Sequence, residues 1–427
     1  MKSELTPILS TPAASRPQTP SHLPEKLSIG MWIWSWIVAA TPGEPYHDLE
    51  KCVLDLKERG FNAVRIEAGL NWAFDLNGVP RGAIEFCPWV AGHGSNLSLF
   101  NARGGGRHDV LKRLLQLFRL AKKHGVFVIL TDWEYQDSTS FVADLAIREE
   151  VNSVPLEERY MLLAKQHARL LDALKTEGLE KQVAFVEIMN EPYYSQVAGS
   201  RDYPGDGQAL HEAAIEYLRA KHPDILVAHD GEPISIPNNC QVLDLHIYGG
   251  SSLYFNHLWK QTIWSEDFKP EDPLSLDALK RVLKEDFTPW DQYMKPAENI
   301  REFWRPVMWL YDNLDNEKWD AWAAELYGQH KEQLQEEVKT RYAQKAAEAK
   351  LRNLPLVIGE GGFFYPPRLS RFEATQPALD FFELYADLAI EHGYWGFMPH
   401  TYIGADTLIW NENPEWLRRI NRKFQNG

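Results

Sequence analysis

The sequence predicts an α/β fold: a (β/α)8 barrel with a long helical insertion between its sixth and seventh strands. Two observations carry this. Eight short apolar runs, at 28–37, 62–67, 126–131, 183–188, 225–229, 242–247, 356–359 and 394–399, alternate with stretches of helical periodicity. Eight parallel strands, each followed by a crossover, is the number that closes a barrel. The competing doubly wound sheet lacks its signature. No G-x-G-x-x-G follows the first strand and no G-x-x-x-x-G-K-[ST] occurs, while Gly104-Gly105-Gly106 has neither a strand before it nor Lys-Ser/Thr after it.

Each element has a local reason. Helices at 49–59, 110–124, 157–177, 210–221 and 378–392 repeat apolar residues at a spacing near 3.6. Four end at glycine, at Gly60, Gly125, Gly178 and Gly393, and all but Gly178 follow a basic residue, which the negative helix end favours. Two connections are too long for plain crossovers: 68–108, rich in Gly, Asn and aromatics, and 249–353. The second holds seven of the 16 tryptophans (259, 264, 290, 304, 309, 319 and 322) and closes in a long charged helix over 318–352. Its aromatics are expected mainly to form the core of a helical subdomain. The chain therefore divides into a flexible Pro/Ser/Thr-rich tail, 1–26, and one barrel domain, 27–427, containing the insertion 250–353.

Composition narrows the partners. With 45 Lys and Arg against 60 Asp and Glu the formal charge is −15, the wrong sign for a protein built to neutralise phosphates, so no nucleic-acid partner is expected. No apolar run reaches the length of a membrane span, and the first residues show no leader-like apolar stretch. The expectation is a cytoplasmic protein with no membrane partner, or a secreted one if a leader was removed. Cys52, Cys87 and Cys240 are odd in number and far apart, which argues against a disulfide framework or a structural zinc site.

The strongest chemical signal is a pair of strand ends. Phe185-Val186-Glu187-Ile188-Met189-Asn190-Glu191-Pro192 runs an apolar strand into a carboxyl that a proline follows, and Leu356-Val357-Ile358-Gly359-Glu360-Gly361-Gly362 does the same between glycines at strand seven. Strands four and seven face each other across a barrel, and chemistry sits at their C-terminal ends. Two carboxyls across one cleft suit acid-assisted glycosyl transfer. Flat tryptophan faces suit sugar rings.

With these motifs the chain resembles the clan of (β/α)8 retaining glycoside hydrolases that carry an acid/base glutamate in Asn-Glu-Pro after strand four and a nucleophilic glutamate after strand seven. Within that clan it is most similar to glycoside hydrolase family 5, the cellulase and mannanase family. The likeness runs from Gly30 to about Asn413. It rests on Asn62-Ala63-Val64-Arg65-Ile66 in strand two, Asn190-Glu191-Pro192, His246-Ile247-Tyr248 after strand six, and Glu360, in that order.

The resemblance implies roles. Glu191 is the general acid/base, its pKa expected to be raised by an ionised Glu360, the nucleophile. A retaining enzyme holds the two carboxyls about 5–5.5 Å apart and an inverting one about 6.5–9.5 Å. Arg65 needs a carboxylate, Glu360 by the resemblance, with Glu67 or Asp75 as the plain alternatives. Tyr248 donates to Glu360, and His246, on the same strand face, binds substrate or orients Glu191. Asn190 meets the sugar 2-hydroxyl.

Two departures bear on specificity. The family commonly has a histidine near the end of strand three, where this chain has Thr131-Asp132-Trp133-Glu134, so that contact is lost or taken by Trp133. The platform tryptophan after strand eight has three candidates, Trp395, His400 and Tyr402. A metal site from His246, His400, Asp132 and Asp230 lacks any His-x-His or H-E-x-x-H pairing, so neither metal nor cofactor is expected. The expected activity is that of a retaining β-glycosidase on β-linked glucosides, mannosides or oligosaccharides. The alternatives are a secreted endo-β-glycanase, a transglycosylase with the same glutamates, and a carbohydrate-binding barrel without catalysis.

Overall fold

The computed structural model describes residues 19–86, 93–98, 105–136, 141–230, 236–249, 257–293, 304–363, 365–405 and 407–427. Its strands are β1 (Leu27–Trp32), β2 (Ala63–Glu67), β3 (Ala83–Phe86), β4 (Gly106–Asp109), β5 (Phe127–Thr131), β6 (Val183–Glu187), β7 (Val227–Asp230), β8 (Val242–Tyr248), β9 (Leu356–Gly362) and β10 (Gly396–Phe397). Eight of them, all parallel, close a barrel in the order β1-β10-β9-β8-β7-β6-β5-β2. β3 and β4 pair antiparallel within the first long connection, whose Gly- and Asn-rich sequence carries no sustained strand alternation.

The first strand is shorter than its apolar run. β1 ends at Trp32, and Ser35–Val38 turns into a short buried helix, tied down where Trp36 Nε1 donates to the Glu67 carbonyl at 2.9 Å. A continuous apolar run does not tell a buried strand from a buried helix. Crossover helices start where an aspartate accepts the orphan backbone donors of the first turn: Asp48 from Lys51 N, Asp109 from Lys112 N, Asp206 from Ala209 N.

The expected tail shrinks on its C-terminal side. Residues 1–18 lie outside the described residues, but Leu23 is in the core, Trp395 Nε1 donates to the Pro24 carbonyl at 3.1 Å, and Lys26 Nζ donates to the Tyr394 carbonyl at 2.7 Å. The helix Pro414–Asn426, which the sequence reading also missed, closes the same end of the barrel, with Leu417, Ile420 and Phe424 buried.

The insertion (of which 250–256 and 294–303 lie outside the described residues) runs into the barrel through the helix Asn316–Arg352. The first turns of that helix bury Trp319 and Trp322 beside Tyr311 of the insertion. Its later turns bury Val338 and Tyr342 on the barrel, where Tyr394 Oη donates to the Tyr342 carbonyl at 3.0 Å. The long helix thus occupies the crossover between β8 and β9. Cys52 and Cys240 are buried free thiols, and Cys87 lies outside the described residues. No described helix is long and apolar enough to cross a membrane.

Two backbone features aim side chains at the barrel mouth. Between β8 and β9 the register runs Leu245 to Ile358 and then His246 to Glu360, so Gly359 is an extra, bulged residue. A bulge re-aims the side chain that follows it. A Cβ on Gly359 would lie 2.1 Å from Asp244 Oδ1, so any side chain there forces Asp244 to shift. In the turn that follows β6, Glu191 itself has φ of 42°, in the left-handed region that a non-glycine residue occupies only under tertiary constraint.

Candidate active site

Alternation along the strands sends Arg65 of β2, Glu187 of β6, and Asp244 and His246 of β8 to the barrel axis. Arg65, fully buried, is the hub. Its Nη1 donates to Glu360 Oε1 at 2.8 Å, its Nη2 to Asn190 Oδ1 at 2.7 Å and to Glu187 Oε2, and its Nε lies 3.6 Å from Asp244 Oδ2. Its partners therefore include Glu360, and neither Glu67 nor Asp75 is among them. Glu67 instead accepts the backbone donors of Gly69 and Trp133.

Glu360 is held from two sides, by Arg65 and by Tyr248 Oη, which donates to its Oε2. Glu191 is held by His246 Nδ1, 2.8 Å from its Oε1, and by Gln136 Nε2, which donates to its Oε2 at 3.1 Å. Oxygens of Glu191 and Glu360, with a nitrogen of His246, all lie within 4.8 Å of one another.

The electrostatics differ from the expectation for Glu191. Burial alone would raise its carboxyl, but the hydrogen bond and charge of His246, the Gln136 amide and the Arg65 charge together hold it below the ordinary glutamate range. His246 moves the other way: burial disfavours its cation, yet Glu360, Asp230 and Glu191 push the imidazole well above its ordinary value. Beneath them, Asp244 is pushed up to about 7, by burial first and by Glu187 second, against the pull of Arg65.

The structure brings together Arg65, Asn190, Glu191, His246, Tyr248 and Glu360. It does not bring Trp395 or His400 to the cleft. Trp395 precedes β10 at the opposite end of the barrel, where its ring packs near Phe185. His400 is buried against Phe382, with Nε2 on Glu373 and Nδ1 accepting from Tyr402 N. Tyr402 takes the place near Glu360, its hydroxyl 3.4 Å from that of Tyr248. Trp133 is at the site but only 4% exposed. Its ring underlies the Arg65 guanidinium at 4.9 Å, so it braces the hub and offers no open face to a sugar.

Sequence reasoning missed Gln136, Glu187 and Asp244, and of its three platform candidates Tyr402 is the one beside Tyr248 and Glu360. The acids had a readable signal, a charged residue in register with Arg65 or His246 along a strand. Among the described residues two groupings have metal-ligand spacing, Glu187-Asp244-His246 and Glu191-His246-Glu360. In the first Glu187 is bonded to Arg65, and in the second all three side chains already hold hydrogen-bond partners, so a cation would have to displace those contacts beside the guanidinium.

The described residues form a parallel (β/α)8 barrel with two glutamates across its mouth, Glu191 in Asn-Glu-Pro and Glu360 on a buried arginine and a tyrosine. Residues 29–221 match the family model described as cellulase-like, sugar-binding. Among solved structures, one from Parabacteroides distasonis, described as a candidate glycoside hydrolase, is similar over 94% of each chain with a TM-score of 0.68 and 16% identity. Cel5A of Thermotoga maritima, solved with mannotriose, has a TM-score of 0.49 at 16% identity over 92% of this chain and 98% of its own. The family 5 mannosidase of Rhizomucor miehei has a TM-score of 0.47 at 11% identity over 94% of each chain. No curated protein matches the chain. At 16% identity the first likeness is one of fold alone, and the chemistry rests on this chain's own residues.

Proposed function

We propose that the protein is a retaining β-glycosidase that hydrolyses β-linked glucosides, mannosides or short oligosaccharides by double displacement. The observation that carries this is the approach of Glu191 and Glu360 to within 4.8 Å, which supports direct attack by Glu360 over attack by an interposed water. In the first step a Glu360 lone pair attacks the anomeric carbon. The glycosidic C–O bond breaks, its electron pair passes to the leaving oxygen, and that oxygen takes a proton from Glu191. In the second step water gives a proton to the Glu191 carboxylate and its oxygen attacks the same carbon, releasing Glu360 and the sugar.

Before substrate arrives the proton is shared by His246 and Glu191, nearer to His246, and it passes to Glu191 along their 2.8 Å hydrogen bond as the leaving oxygen draws it away. Activity then falls as pH rises through the titration of this pair. The basic limb of kcat/KM is expected above the ordinary histidine value of about 6.5. Short substrates are favoured by the aromatic wall beside the nucleophile, where Trp259 and Trp304 of the insertion pack behind Tyr365 and Tyr365 packs on Tyr402.

The test is a panel of aryl β-glucosides, mannosides, xylosides and galactosides, with NMR of the first-formed anomer. E360Q is expected to lower turnover about a thousandfold or more while the fold persists. Inverted product would overturn the retaining mechanism. A wild-type protein that binds oligosaccharide but turns over none of the panel would overturn the enzyme reading.

A further inference from the structure

We infer that Gln136 is a positioning residue for the acid/base step, the last member of a directed hydrogen-bond chain that starts at Arg65. This rests on the reading of Glu191 as acid/base and adds a residue that neither strand ends nor charge would single out. The direction of the chain follows from donor chemistry. A guanidinium can only donate, so the Asn190 atom facing Arg65 at 2.7 Å must be its Oδ1. Asn190 therefore turns Nδ2 outward, and the Gln136 atom 3.0 Å from it must be Oε1. That leaves the Gln136 amino group for Glu191 Oε2, at 3.1 Å. One fixed charge sets the orientation of two amides and delivers a donor to the acid/base carboxyl.

The backbone is shaped for this delivery. Tyr135, the residue before Gln136, has φ of 62°, one of the few non-glycine residues described there. Its strain is held from several sides: its hydroxyl donates to the Val151 carbonyl at 3.1 Å, Arg159 lies 4.5 Å over its ring, and its carbonyl accepts from Gln196 N at 2.7 Å. Asn190 N also donates to the Asp132 carbonyl at 2.8 Å, so the turn that carries Gln136 is stitched to the turn that carries Glu191. Two left-handed residues, Tyr135 and Glu191, thus face each other across a single amide. With His246 on the other oxygen, the Glu191 carboxyl is fixed in plane and cannot rotate away from the glycosidic oxygen.

A group that aligns the acid affects only reactions that need the acid. Q136M keeps length and removes both hydrogen bonds, and Q136N shortens the reach while keeping the amide. The measurement is kcat/KM, which reports glycosylation, for each variant on a β-linked disaccharide and on the matching 2,4-dinitrophenyl β-glycoside, whose leaving group departs without a proton. Q136M is expected to lose about ten- to a hundredfold on the disaccharide and about twofold or less on the dinitrophenyl glycoside, with Q136N in between. Equal losses on both substrates, or no loss on either, would overturn the role of Gln136. E191Q run beside them separates the two readings. If E191Q is selective for the disaccharide and Q136M is not, only Gln136 falls. If E191Q loses equally on both, the acid/base assignment falls and takes Gln136 with it.

Discussion

Arg65 sits fully buried among Glu187, Glu360 and Asp244, and its neutralisation by several strands is what makes so much charge tolerable at the centre of the molecule. Removing one partner of such a network leaves the others unpaired in low dielectric. R65M is expected to lower stability by about 3–5 kcal/mol and to abolish turnover. Urea denaturation read by tryptophan fluorescence checks it, and a loss under about 1 kcal/mol would mean that the carboxylates find other partners. Asp244 gives a prediction with a sign. Its folded pKa is pushed up to about 7, above the unfolded value near 4, so the folded state binds this proton more tightly. The resulting stabilisation is complete below about pH 4 and is lost as pH rises through 7. D244N removes the titration, so the gap in stability between D244N and wild type should widen in favour of D244N between pH 5 and 8 on the scale of about one to a few kcal/mol. Parallel curves would show that Asp244 does not titrate there. At this scale Glu191, Glu360, Arg65, His246 and Tyr248 were legible because charge or a ring stands at a strand end, and Asn190 because it adjoins Glu191 in Asn-Glu-Pro. Gln136 was not, since an uncharged amide in a loop interrupts no pattern; only the donor-acceptor chain marks it.

A β-bulge is the element that makes Glu360 point where it does, and it hides in the same run that made strand nine legible. The apolar residues Leu356 to Ile358 announce the strand, but an extra residue at Gly359 changes which side chain faces the mouth, and register belongs to the pairing of two strands rather than to either alone. Gly359 also leaves the space that Asp244 fills. G359A is expected to lower stability by about 1–3 kcal/mol through overpacking and to lower kcat more than KM, because Glu360 is displaced along with Asp244. Thermal melts and initial rates measure the two effects, and a fully active, equally stable G359A would show that the strand can slide without moving Glu360. The same limit explains Trp395 and His400. The sequence put aromatic and imidazole groups near strand eight but not the point where the strand ends, and β10, ending at Phe397, places one at the wrong end of the barrel and the other behind its wall. The apolar run at 28–37 failed for a related reason, since burial on all sides erases the periodicity that separates strand from helix.

At the scale of the whole molecule, the insertion and the barrel share a helix and should therefore share a transition. Asn316–Arg352 is continuous over 37 residues, with Trp319 and Trp322 packed in the insertion at one end and Val338 and Tyr342 packed on the barrel further along. A subdomain joined by a flexible linker could melt alone. Here, losing the insertion's grip on the first turns frees the helix that packs on β8, and the barrel loses part of its outer wall. W319A and Y342A remove buried rings some six turns apart on that one helix, and each is expected to lower stability by about 3–5 kcal/mol. The coupling predicts more than the size of these losses. Far-UV circular dichroism and tryptophan fluorescence should trace one superimposable transition in the wild type and in both variants, the midpoint moving and the slope staying. An early fluorescence transition in W319A, with barrel ellipticity retained, would mean that the insertion folds as a separate unit and that the aromatic wall beside Glu360 can loosen without unfolding the barrel.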